Sequence, residues 1–323
     1  MITLKVLRKI YTIVNKKQIN LPECIENGEE ASKLIFDKLN SNNPTMIARF
    51  GSTELANIVN YMAIKDIKYQ STVGYIKGKT PAWWWQENLM NQLQDWSGFF
   101  PPTKEKISQF SEMMIEDSRE VDILGSWVED EIFMSVYMYD TKIHLRFLEP
   151  FWSVSPWTRA LKNKKVLVVH PFKNTIEKQY KKRELLFQNK DLLPRFQSLT
   201  VVRAVQSLGG GDNQFKDWFE ALEYMKSEID KVDYDICLIG AGAYGFPLAA
   251  YVKRQGKQGI HIGGALQLFF GIKGKRWEDS NYGVQEWGIK KNSYINLMNE
   301  HWVRANENEK PSNASNVEGA CYW

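Results

Sequence analysis

Cysteine is scarce in this chain: its 323 residues hold three, Cys24, Cys237 and Cys321. An odd number so widely spaced makes neither a disulfide framework nor a zinc-binding pattern, and it reads as a protein of the reducing cytosol. Long apolar runs are missing as well. None approaches the ~20 residues that a bilayer-crossing helix needs, and no secretory leader is visible. An excess of one charge sign is also absent. Lys plus Arg number 42 against 38 for Asp plus Glu, a difference of +4, far from the basic density that grips nucleic acid. Nucleic acid is therefore not expected as a partner.

Aromatic residues are plentiful instead: 12 Trp, 14 Tyr and 16 Phe, a set that suits sugar or base stacking as well as packing. The length allows one large or two medium domains. Short, wholly apolar runs alternate with stretches of helical spacing. That pattern predicts an α/β, Rossmann-like fold, with mostly parallel sheets flanked by helices and two α/β halves. Residues 1–20 form a basic amphipathic helix, 21–160 the N-terminal half, 161–303 the C-terminal half and 304–323 a tail, with a hinge at 150–165. In the first helix Leu4, Val6, Leu7, Ile10, Ile13 and Val14 share a face, among the cations Lys5, Arg8, Lys9, Lys16 and Lys17. Such a helix either lies on an anionic membrane surface or packs on its own domain. The tail opens as a polar linker, with a glycosylation sequon at Asn313 that a cytosolic protein does not use. It ends in Cys321-Tyr322-Trp323. A disordered tail should not finish in two aromatics, so this end is expected to dock back onto the body.

The first half predicts a helix over 29–39, a strand over 45–50, a turn at Gly51-Ser52-Thr53-Glu54 and a helix over 55–62. Turns of this kind lie at the carboxyl ends of strands, where open α/β sheets bind ligands. Ser52 or Thr53 caps the helix, and Glu54 in its first turn suits the dipole. Capping does not account for Arg49. Trp83-Trp84-Trp85 and the segment 98–102 flank a helix over 86–96, and either join the core or cover a ligand. A strand over 121–127 leads to Glu129-Asp130-Glu131, either a solvated helix start or carboxylates for a metal or a base.

The second half predicts a strand over 166–172 that carries His170 at its carboxyl end, a helix over 177–187 and a strand over 199–205. After a break at Gly209-Gly210-Gly211-Asp212 come a helix over 215–229 and a buried strand over 236–240. Gly240-Ala241-Gly242-Ala243-Tyr244-Gly245 then has the spacing G-x-G-x-x-G between that strand and a helix over 246–255. A dinucleotide site also wants an acid at the end of the next strand, where this chain has His261, Gly263 and Gly264. The turn is left as a phosphate-facing loop at a helix N-terminus or a tight turn for helix–sheet packing. Lys273, Lys275 and Arg276 either neutralise two phosphates or form a solvated turn.

Arg49-Phe50-Gly51-Ser52-Thr53-Glu54-Leu55 resembles the RFGDGE-type signature of the GT-D fold glycosyltransferases, Rossmann-like enzymes of bacterial surface-polysaccharide and glycoprotein assembly. The segments LIGAGAYGFPLAAYVKRQGK, IHIGGALQLFFGIKGKRW and GACYW resemble recurrent blocks of GT-D-like proteins from polysaccharide gene clusters, so the resemblance spans most of 45–323. It implies a transferase with a nucleotide-diphosphate sugar donor and a glycan or lipid-linked glycan acceptor. The cysteine pattern puts it in the cytoplasm, and the basic first helix is what would bring it into peripheral contact with the inner membrane surface. The family's Asp-x-Glu, which holds a divalent metal and the donor diphosphate, falls on Ser52, Thr53 and Glu54. A hydroxyl is a poorer ligand for a hard cation than a carboxylate. Either Glu54 holds Mn2+ or Mg2+ with another carboxylate, or the basic cluster and helix dipoles neutralise the phosphates.

On this resemblance the donor side comprises Arg49, Gly51, Ser52, Thr53, the turn glycines Gly240, Gly242 and Gly245, then Gly263, Gly264, Gln267, Lys273, Lys275 and Arg276. Tyr244 stacks on the base or sugar. Glu54 is metal ligand or base, with His170 and His261 as alternative bases. Two other classes stay open: an inactive glycosyltransferase-like scaffold, which Ser52 favours, and an NAD-dependent sugar-modifying enzyme, which the missing acid disfavours.

Overall fold

In a computed structural model the chain is described over residues 2–15, 22–138, 141–207, 214–310 and 321–323. Lys16, Lys17, the glycine break at 209–212 and the tail segment with Asn313 lie outside these residues. The N-terminal part runs α1 (Ile2–Val14), α2 (Gly28–Asn40), β1 (Thr45–Ala48), α3 (Ser52–Lys65), α4 (Thr72–Ile76), α5 (Glu87–Ser97), α6 (Lys104–Asp117), β2 (Ile123–Ser126) and β3 (Lys142–His144). The chain continues through β4 (Lys165–His170), α7 (Lys173–Tyr180), α8 (Arg183–Leu186), β5 (Ser198–Arg203), α9 (Trp218–Asp230) and β6 (Ile236–Ile239). It closes with α10 (Gly245–Arg254), β7 (Gln258–His261), α11 (Leu266–Phe269) and α12 (Val284–Trp287).

The strands form one parallel sheet of seven in the order β3-β2-β1-β7-β6-β4-β5. The fold is α/β and Rossmann-like, with helices on both faces. Central strands such as β1 and β6 are buried along their whole length, which is why their sequences read as unbroken apolar runs. Connections that step towards β3 pack with one core, which holds α3, α6, α9 and α10. Those that step towards β5 pack with the other, beside α2 and α7. Crossovers therefore share one hand throughout, as right-twisted strands require.

The two halves meet where β7 hydrogen-bonds β1 on one side and β6 on the other, with Ile260 in register with both Ile47 and Leu238. Gly259 makes this packing possible. A side chain there would sit 2.8 Å from the carbonyl oxygen of Ala249 in α10. At the amino edge, Asp122 accepts from the amide of Met46 at 2.8 Å and pairs with Lys38 of α2 and Lys253 of α10, both at 2.8 Å. One carboxylate thus ties both faces to the sheet.

Several segments depart from the sequence reading, and α4, α6, α11 and α12 have no counterpart in it. The stretch 150–165 is not a hinge: Trp157 is fully buried, donates to the Leu148 carbonyl at 3.1 Å and packs against Phe269. The helix expected over 177–187 breaks at Lys181 and Lys182 into α7 and α8. Strand β3 has no signal in the sequence, because three residues carry no period. Cys321 and Trp323 are buried against the body, and the main chain of Cys321 accepts from the Arg276 amide at 3.0 Å.

A single sheet should unfold as a single unit. Trp157→Ala is expected to cost about 3–5 kcal/mol. Denaturant transitions followed by tryptophan fluorescence and far-ultraviolet dichroism should stay coincident; two separated transitions would contradict a continuous sheet.

Candidate functional site

Strand β1 sends the chain on to α3 on one face, while its neighbour β7 sends it to α11 on the other. Where adjacent strands part in this way a crevice opens at their carboxyl ends. The protein has such a cleft, of about 770 Å³, between the ends of β1, β2, β3 and β7. Arg49, Gly51, Ser52, Thr53 and Glu54 line it from the first half, and Gly242, His261, Gly263, Gly264 and Arg276 from the second.

Arg49 is half-buried, and among the described residues no carboxylate lies within 4 Å of it. Its guanidinium lies over the indole of Trp127, 5.3 Å from the ring centroid. That indole is fixed in turn, donating to the Phe50 carbonyl at 2.9 Å. The buried carboxylate of Glu131 accepts from the amides of Trp127 at 2.9 Å and Val128 at 3.1 Å, and from the Ser126 hydroxyl. The acidic run does open a helical turn, Glu129–Met134, but Glu131 is buried in it as a structural anchor and is not solvated. Burial raises its pKa, against the pull of these donors. Gly263, at φ +77°, takes a conformation that favours glycine and leaves its Cα facing the Arg49 side chain.

Helix α3 begins at Ser52, directly after the capping residue Gly51. The Glu54 carboxylate folds back over Gly51, where a side chain on that glycine would overlap it. It is buried and held at the positive end of α3. The first-half turn thus brings a cation and a carboxylate into one crevice.

His261 ends β7 beneath Arg49. Its Nδ1 lies 3.4 Å from the Ile239 carbonyl, a contact that needs the proton on Nδ1 and leaves Nε2 as the lone pair. Burial, followed by the nearby Arg49 charge, pushes its pKa down to about 3. It is a neutral hydrogen-bonding group at physiological pH, and a weak base. Gly245 is where the helix makes room for this imidazole, which a side chain would overlap.

The chain end builds another wall. Tyr322 lies on Gly264, which has no room for a side chain, and its hydroxyl is 3.4 Å from Arg276. The Arg276 guanidinium stacks over the Tyr322 ring at 4.8 Å and bonds the Cys321 sulfur at 3.2 Å. Its pKa is raised, with burial opposing and the surrounding Tyr and Cys groups favouring the charge.

Several residues expected in the site lie elsewhere. Tyr244 is buried, stacked on Trp218 at 4.9 Å with its hydroxyl 2.8 Å from that of Ser207, so neither its ring nor its hydroxyl faces the cleft. His170 is sealed in the core. Its Nδ1 accepts from the Phe172 amide at 3.1 Å, and burial pushes its pKa to about 3. Gln267 is a buried staple that donates to the carbonyls of Ile272, Lys273 and Tyr322. Lys273 lines a different groove, with Met298 and Glu300, and Lys275 is exposed outside the cleft. Of the three turn glycines only Gly242 reaches the cleft. Gly240 instead admits the Gly263 carbonyl, 2.8 Å from where its side chain would begin.

The cleft also holds Trp127, His144, Glu149 and Tyr322. Glu149 is the one with the most chemistry. It is buried, and a single oxygen, Oε2, accepts from both Tyr294 Oη at 2.8 Å and Trp152 Nε1 at 3.0 Å. No cation within 4 Å pairs with it among the described residues. Burial raises its pKa to about 7, although both donors pull it down. Trp127 was legible as the residue at the carboxyl end of an expected strand. Glu149 had no such signal, because it follows the three-residue strand.

Among the described residues no group of three or more His, Cys, Asp or Glu converges as a donor set for a metal ion. Glu54 with the Ser52 hydroxyl falls short of the oxygen ligands that a resident Mn2+ or Mg2+ takes. The cleft's positive charge comes from Arg49 and Arg276. Comparison with family models, curated proteins and solved structures returned no match for this chain.

Glu149 makes stability depend on pH. Below about 4.5 it is protonated in both folded and unfolded chains. Between 4.5 and about 7 only the unfolded chain releases the proton, so folding weakens as pH rises. At 1.36 kcal/mol per pH unit this amounts to about 3 kcal/mol. Glu149→Gln should lack this loss and gain about that much on wild type between about pH 4 and pH 8. Denaturant midpoints measured across that range check it, and parallel curves would contradict it.

Proposed function

We propose that the protein is a glycosyltransferase that uses the β1/β7 cleft to move a sugar from a nucleotide-diphosphate donor to an acceptor hydroxyl. The observation that carries this reading is Arg49, a guanidinium without a carboxylate partner among the described residues, held over Trp127 at the carboxyl edge of a Rossmann-like sheet. Its closeness to the GT-D signature in sequence is the second support. A diphosphate would supply the missing negative charge, and planar guanidinium binds phosphate oxygens in pairs.

In the reaction the bond from the anomeric carbon to the diphosphate oxygen breaks, and its electron pair leaves with the nucleotide diphosphate. Negative charge builds on that leaving group as the sugar becomes oxocarbenium-like. Arg49 and Arg276 stabilise it in a low-dielectric crevice. The acceptor oxygen bonds to the anomeric carbon and releases its proton to a carboxylate. Glu149 suits this step, since a base works best when its pKa lies near the working pH. Glu54 is then available to bind a sugar or acceptor hydroxyl. The neutral His261 hydrogen-bonds without adding charge beside Arg49. On this reading the acceptor is a glycan or lipid-linked glycan, and the protein acts in the cytoplasm against the inner membrane surface.

A second reading, a scaffold that has lost activity, is favoured by Ser52 standing where the family's motif has Asp. An NAD-dependent enzyme is not supported, since Ile262 and Gly263 follow β7 where a ribose-binding acid would be needed.

The experiment is a thermal-shift screen against nucleotide diphosphates, their sugar conjugates and NAD. Binding to the folded chain alone raises the melting temperature by mass action. One nucleotide diphosphate should shift wild type, with Arg49→Met losing at least tenfold in affinity. Glu149→Gln should keep the shift and lose at least a hundredfold in turnover. A flat screen would favour the scaffold.

A further inference from the structure

The described residues include 13 large hydrophobic side chains that are exposed. Their distribution is uneven. Five are on α1: Val6, Leu7, Ile10, Ile13 and Val14, the last two 68% and 72% exposed. Of the five others at 61% or above, Val154 lies in the connection from β3 to β4 and the remaining four are Ile67, Val73, Ile132 and Val136. These nine come from segments that adjoin. Arg8 of α1 lies over the Tyr75 ring of α4 at 4.7 Å and reaches the Thr80 carbonyl at 3.5 Å. Tyr69, two residues after Ile67, packs edge-on against Phe133 at 5.8 Å. Arg8, Tyr75, Ile132 and Phe133 border one open groove.

Helix α1 is inverted relative to an ordinary surface helix. Leu4, Arg8 and Tyr11, spaced i, i+4 and i+7, form its partly buried stripe. Its apolar arc, from Val6 round to Val14, points away from the body. Burying that arc on the protein would have been the favourable arrangement. Lys5 and Lys9 flank it, and Lys77 and Lys79 stand exposed beside α4. Among the described residues none of these four lysines has a carboxylate within 4 Å.

We propose that α1, with the exposed residues of α4 and of the turns around Ile67 and Ile132, is a docking face for an anionic phospholipid bilayer. The apolar arc enters the headgroup boundary, while the lysines meet lipid phosphates, their stems extended along the apolar surface. Charge decides for lipid over a second copy of the chain. An isologous dimer would set the same unpaired lysines against one another, and lysine is depleted from protein interfaces. Apolar area with a basic flank supplies the two signals that stable membrane binding needs. The groove and the cleft share Glu129 in their linings, so the docked face adjoins the cleft mouth. The face does not depend on the chemistry proposed for the cleft.

Sedimentation of the full chain with vesicles tests this. The chain should pellet with vesicles that mix phosphatidylcholine and phosphatidylglycerol, should not pellet with phosphatidylcholine alone, and should be released by salt. Lys5→Gln with Lys9→Gln should weaken partitioning about 25-fold, roughly fivefold per lysine. Ile10→Ser with Ile13→Ser should lose pelleting altogether. Both pairs are exposed, so melting temperature and the nucleotide thermal shift should match wild type. Three results would overturn the proposal: no pelleting with either vesicle, variants that pellet like wild type, or a concentration-dependent dimer that Ile13→Ser makes monomeric without vesicle binding.

Discussion

Strand β7 is four residues long, and the arrangement of the molecule depends on its place. By hydrogen-bonding both β1 and β6 it makes one sheet of the two halves, joining strands that lie at Thr45–Ala48 and Ile236–Ile239 in sequence. That pairing sets Arg49 next to His261 and opens a crevice where the chain leaves the two strands on opposite faces. Gly259 lets α10 lie close on β7, and Gly245 lets the His261 ring turn under the helix. The glycines of this region have packing reasons that stand whether or not a ligand binds.

The cleft's electrostatics follow from which charges are neutralised and which are not. Asp122 is matched by two lysines at the amino edge, and Glu131 by amides and a hydroxyl. Among the described residues Arg49 has an aromatic face and no counter-ion, and Glu149 has neutral donors on one oxygen only. Both histidines of the central strands are held neutral by burial. An unbalanced cation and an unbalanced carboxylate in one crevice suit a reaction that separates an anionic leaving group from a proton.

Much of the fold was legible in the sequence, for a physical reason. Strands covered on both faces show as unbroken apolar runs, so β1, β4 and β6 stood out, and α2, α5 and α10 carried the helical period. What failed was what depends on strand order. The glycine motif had the spacing and context of a phosphate turn, yet Gly240 and Gly245 answer to Gly263 and His261, neighbours that only the sheet order brings near. Tyr244 and His170 sat beside expected site residues in sequence and went into the core. Arg49 and Glu54 were legible because carboxyl ends of strands are exposed by topology. Glu149 and Tyr322 were not, since a three-residue strand and a returning chain end place them.

The central claim is that the β1/β7 crevice receives a diphosphate at Arg49. A crystal structure of the full chain with a nucleotide diphosphate tests it most directly. The account predicts phosphate oxygens within hydrogen-bond distance of the Arg49 guanidinium, with the ligand extending towards Arg276 and Tyr322. A nucleotide bound in another groove, with Arg49 untouched over Trp127, would contradict it.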